Sequence, residues 1–91
     1  PQVKEVFSYT CSGSKTSDFF YLEAGLVKFD YVFTGKSNII VRLLDEEGTY
    51  KESIINQIGD YSGQSTYKAI EGYYYIECYV PEGKGTIKIM Q

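Results

Sequence analysis

Tyr73, Tyr75 and Tyr79 stand at two- and four-residue spacing in one β-rich run, so on an extended chain their rings share a face. Tyr74, Ile76, Cys78 and Val80 then share the other face and point inward. Flat aromatic surface with a polar tip stacks on sugar rings or anchors a protein contact, at low entropic cost to the side chain. Tyr61 and Tyr67 are expected to approach the same face, and Glu77 in its middle favours a polar partner over a membrane. The plainer reading has the outward tyrosines packing against lysine stems and β-branched neighbours across strands. A second sheet covering the face is another reading, and a one-residue slip in register would exchange in for out.

Other chemistry has little to work with. The chain has no histidine, which removes the commonest general base, the Ser-His and Cys-His nucleophile pairs and the usual zinc sites. Carboxylate pairs suffice for glycoside hydrolysis, but here the acidic residues fall in turns and on outward strand positions, where they serve as solvating charges. No catalytic residue and no cofactor is assigned. Asp45, Glu46 and Glu47, with Asp30 or Asp60, offer oxygen ligands of the kind calcium takes, yet no EF-hand spacing or repeated Asp-x-Asp pattern accompanies them. They read as a solvated turn. Cys11 and Cys78, near opposite ends of the chain, form a disulfide in an oxidising compartment or remain two buried free thiols.

The elements that position these residues are strands. The 91 residues predict one domain over 1–91, rich in Tyr, Ile, Val, Phe and Thr, with only two prolines. A two-residue period marks 3–11, 16–22, 26–33, 38–44, 49–56 and 64–70. It is cleanest where Val27, Phe29, Tyr31 and Phe33 alternate with Lys28 and Asp30. Residues 12–15 end the first strand, residues 58–63 form the longest irregular stretch, and 72–81 with 86–90 make a closing hairpin around Gly83 and Gly85. The expected fold is all-β, a two-sheet antiparallel β-sandwich of seven to eight strands, jelly-roll or immunoglobulin-like.

The net charge of −3 and the scattered lysines lack the basic cluster that displaces counterions from a phosphate backbone, so nucleic acid is not an expected partner. No apolar run approaches a membrane span. The chain opens on Pro1 without a methionine, which reads as a trimmed or mature form, so a missing signal peptide carries no information.

From Thr16 to Met90 the chain resembles a small domain recurrent in secreted, lipoprotein and surface proteins of prokaryotes, mostly of unknown function. The resemblance rests on Phe20, Tyr21 and Leu22 before Gly25, on 37–45 before Gly48, on Asn56 with Ile58 and Gly59, on Gly63, and on Gly72 and Tyr73 with 86–89. Where members often carry Gly-x-Trp-x-Ile, this chain has Lys84, Gly85, Thr86 and Ile87. It is also similar to the pre-peptidase C-terminal type of jelly-roll module. The resemblance implies an extracytoplasmic, secreted or envelope-attached, non-catalytic module with a surface, adhesive or accessory role through protein contact. Two other readings stay open: carbohydrate binding through Tyr73, Tyr75 and Tyr79, and a domain that only spaces a larger chain.

Overall fold

The computed structural model describes residues 3–91, and these form seven strands and no helix. In chain order the strands are β1 (Glu5–Thr16), β2 (Phe20–Leu22), β3 (Gly25–Gly35), β4 (Asn38–Asp45), β5 (Tyr50–Ile58), β6 (Tyr61–Ala69) and β7 (Gly72–Met90). Every pairing is antiparallel, in the order β5-β4-β7-β3-β6, with β1 and β2 also joined to β7. The chain is therefore all-β and antiparallel, as the alternation indicated. Its hydrogen bonds do not divide it into two separate sheets; they run through one sheet that folds over on itself towards a barrel.

β7 makes the fold-over. Its first half pairs with β4, from Ile40 opposite Tyr79 to Asp45 opposite Tyr74, and its second half pairs with β3, from Gly35 opposite Gly83 to Lys28 opposite Met90. The closing hairpin expected around Gly83 and Gly85 is not formed, because both glycines lie inside one continuous strand. They serve close approach rather than a turn. A Cβ on Gly83 would overlap the Thr34 carbonyl oxygen, and one on Gly85 would overlap the Phe33 ring.

β1 runs beside β7 through both halves. Its register jumps from Ser12 opposite Lys84 to Gly13 opposite Val80, so β1 takes the short path round the corner while Pro81, Glu82 and Gly83 take the long one. Gly13, at φ 69, supplies the left-handed conformation that this bulge requires. The strand break expected at 12–15 is therefore a bulge within β1. The second expected strand shortens to Phe20–Leu22. Ahead of it Ser17 donates its amide to the Ile76 carbonyl (2.9 Å) and accepts the Ile76 amide on its hydroxyl (2.9 Å). The irregular stretch expected over 58–63 contracts to Gly59 and Asp60 between β5 and β6. Asp60 accepts the Gly35 amide (2.9 Å), and the Gly59 amide reaches the Ser37 carbonyl (3.0 Å), tying that turn to the start of β4.

The interior is filled from both halves by Leu22, Val41, Leu43, Ile76 and Val80 on one side and Phe29, Phe33, Ile87 and Ile89 on the other, all buried. Burying each such side chain contributes roughly 1.5–3 kcal/mol. The alternating sets Val27, Phe29, Tyr31 and Phe33 of β3 and Tyr74, Ile76, Cys78 and Val80 of β7 are buried as expected, and Ile39, Val41 and Leu43 of β4 follow the same alternation. Leu44 lies on the outer side of β4, outside the core cluster, and is covered there beside Tyr75 and Tyr50. Cys11, in the half of β1 that pairs with the end of β7, is disulfide-bonded to Cys78 in the other half across a Cα–Cα distance of 6.0 Å, and both are fully buried.

Candidate functional site

Strand alternation and register together build one outer face on the β2–β7–β4–β5 half of the sheet. Tyr73 lies opposite Tyr21 of β2, and their rings meet edge to face at 5.2 Å. The next row along β7 holds Tyr75 between Phe19 and Leu44, with Tyr50 beyond; Phe19 and Tyr75 meet edge to face at 5.6 Å. The third row is Glu77, Arg42 and Ser53, and the fourth is Ser14, Tyr79, Ile40 and Asn56. Phe19, Tyr21, Tyr50, Tyr73 and Tyr79 are each exposed over 41–57% of their surface. So much exposed aromatic surface on one face is unusual for a solvated sheet.

Tyr73 and Tyr75 therefore come together, while Tyr79 stands about 13 Å further along β7, four residues at the rise of a strand. Tyr75 is half-buried, its hydroxyl reaching the turn at Gly48. Tyr61 and Tyr67 do not approach this face. Both lie on β6 in the other half and pack against the core, Tyr61 stacked on Tyr31 at 5.8 Å. Phe19, Tyr21 and Tyr50 complete the patch in their place. The first two carry the outward signal of alternation with Phe20 and Leu22, but only register brings them beside Tyr73 and Tyr75. Tyr50 is brought in by the β4–β5 pairing.

The face holds one ion pair within it and carboxylates at its edge. Arg42 Nε lies 3.8 Å from Glu77 Oε1, with both side chains more than two-fifths exposed, so the pair is solvent-screened. Tyr21 donates its phenolic hydrogen bond to Glu71 Oε2, which with the nearby carboxylates pushes the Tyr21 pKa up to about 12. Asp45 at the rim is occupied with its own turn, accepting the Thr49 (3.0 Å) and Glu47 (2.9 Å) amides on Oδ1. The Thr49 amide above all holds the Asp45 carboxyl below its ordinary pKa, with the Glu47 amide and Lys51 acting in the same direction.

Between β4 and β5, on the same outer face, Ile40, Arg42, Tyr50, Ser53 and Asn56 line a shallow depression of about 410 Å³. A larger recess of about 630 Å³ sits at the fold-over, but its lining, including Lys36, Asp60, Glu82 and Lys84, holds no aromatic ring. Ring faces, phenol hydroxyls, an amide and one compensated ion pair suit non-covalent recognition of a flat polar partner.

Fold and face together define an all-β antiparallel module with an aromatic platform on one side. No family model matches the chain, and no curated protein matches it. Among solved structures it is similar to BiXyn10A CBM1 in the apo form, at 14% identity over 80% of this chain and 62% of that one, with a TM-score of 0.48. It is also similar to FLHE, at 15% identity over 98% of this chain and 92% of that one, with a TM-score of 0.38. The chain thus spans about three-fifths of the first of these.

Proposed function

We propose that this chain is a non-catalytic accessory module of an extracytoplasmic protein, sandwich-like in its layering, and that its aromatic outer face binds polysaccharide. The observation that carries the reading is the contiguous surface of Phe19, Tyr21, Tyr73 and Tyr75, continued across the strands by Tyr50, with Tyr79 on the same face beyond Glu77. A glycan presents alternating CH faces and hydroxyls, the complement of ring faces and phenol tips. The rings are packed on one another in advance, so little side-chain entropy remains to be lost on binding. Protein hot spots, by contrast, are centred on anchors inserted into fully desolvated pockets. The buried Cys11–Cys78 disulfide supports an oxidising compartment.

An amide-resolved NMR titration against a panel of soluble cell-wall and plant glycans tests the reading. Signals of β2, β4 and β7 are expected to move, and replacing Tyr73, Tyr75 and Tyr79 together by alanine is expected to weaken binding at least tenfold. Unchanged glycan affinity in that variant removes the reading. Movement with protein partners alone restores the accessory protein-contact role, and a face silent to every addition leaves a spacer. Hydrolysis of a bound glycan, abolished by one carboxylate substitution, would overturn the non-catalytic assignment.

A further inference from the structure

The face has a direction, and it runs across the strands. Along β7 the aromatic series is interrupted at Glu77. Across the strands, the row of Phe19, Tyr75, Leu44 and Tyr50 carries no charge and leads from the Tyr21–Tyr73 pair to the depression between β4 and β5. We propose that this depression is a second sugar subsite, lined by Arg42, Tyr50, Ser53 and Asn56, and that the ligand is an extended neutral glycan lying over β2, β7, β4 and β5. The inference rests on the polysaccharide reading of the aromatic face.

The chemistry of the two ends differs in the way that a chain ligand requires. At the β2–β7 end, ring faces offer stacking with little hydrogen bonding. At the β4–β5 end, a hydroxyl, a carboxamide, a phenol and a guanidinium surround the small apolar floor of Ile40. The Ser53 and Asn56 side chains reach this face because the β5 register shifts between Arg42 and its neighbour Val41, placing Ile54 and Ile55 together on the buried side. Arg42 meets Glu77 through Nε, leaving the terminal nitrogens of its fork as donors to sugar oxygens. Because Glu77 offsets Arg42 and Glu71 adds a carboxylate at the Tyr21 end, the path offers no net positive charge for a uronic acid or a sulfated sugar to answer. Three inter-strand steps of about 4.8 Å give a path of roughly 14 Å, longer than one sugar residue. Binding should therefore depend on chain length.

Calorimetry and NMR with linear β-1,4-linked glucan, mannan and xylan oligomers of increasing length test this on the intact chain. Affinity is expected to rise at least tenfold between the disaccharide and the tetrasaccharide of the preferred series. Ser53→Ala and Asn56→Ala are expected to lower tetrasaccharide affinity at least fivefold and to leave disaccharide affinity unchanged. The backbone NMR spectrum of each variant reports that it is folded. Equal affinity for all lengths, or Ser53→Ala and Asn56→Ala variants that bind the tetrasaccharide normally while Tyr73→Ala does not, would overturn the second subsite and leave the aromatic face intact as a binding site. Binding of no oligomer at any length overturns both. Tighter binding of acidic than of neutral oligomers overturns the assignment of ligand charge.

Discussion

Tyr21 and Glu71 are 50 residues apart in sequence and share one hydrogen bond at the edge of the aromatic platform. The phenol stays protonated in the folded chain up to about pH 12, whereas an unfolded tyrosine ionises near pH 10. Over that interval the unfolded state binds fewer protons, so stability falls as pH rises through it. Burial pushes Tyr9, Tyr31 and Tyr67 in the same direction. Asp45 acts oppositely: its folded pKa is lowered, so its contribution is present above the ordinary carboxylate value and lost as pH falls through the folded one. Thermal melts should therefore show a steady loss of melting temperature above pH 10. With Glu71→Gln, the Tyr21 ring-carbon NMR titration should move down from about 12 towards the ordinary tyrosine value. An unmoved midpoint would show that Glu71 does not hold the phenol. None of this was legible in the sequence, where Tyr21 reads only as an outward residue; its partner is set by the meeting of β2 with the start of β7.

At the scale of elements, β7 decides most of the architecture. A glycine pair in a hydrophobic alternation reads locally as a loop, since the same residue type serves turns and close backbone contact. Which role applies depends on what lies across the strand, and here that is the Thr34 carbonyl and the Phe33 ring of β3. Gly83→Ala is expected to destabilise by about 1–3 kcal/mol through overpacking against main chain that cannot yield. Gly59→Ala, which meets no atom within 4 Å but sits at φ 86, should be strained by its backbone alone. Chemical denaturation of the two variants separates these causes: the first perturbs NMR signals on β3, the second only the β5–β6 turn. A Gly83→Ala variant as stable as the parent would mean that β7 and β3 do not approach closely there. The alternation itself was read correctly on β3 and the first half of β7, because burial of one face specifies register there, and it breaks on β5, where a register shift buries Ile54 and Ile55 together.

For the whole molecule, the disulfide joins the two halves that β7 folds over on each other. It closes a span of 67 residues, for which the chain-entropy model gives about 4 kcal/mol. A Cys11→Ala, Cys78→Ala variant should lose stability of that order in denaturant titration while retaining its strand content at low denaturant. A loss below about 1 kcal/mol would mean that the sheet holds its fold-over without the bond. Cys78 reads on an inward face and Cys11 on the first strand, but their meeting is not legible, because the sequence does not encode locally the distance between strands that are far apart along the chain. The same division runs through the molecule. The all-β class, the buried sets of β3, β4 and β7 and the outward course of Tyr73, Tyr75 and Tyr79 follow from sequence, since a two-residue period is a local property. The single folded sheet, the corner at Gly83, the company of Phe19, Tyr21 and Tyr50 and the notch at Ser53 and Asn56 were decided only by tertiary pairing, since each depends on which strand lies beside which and at what register.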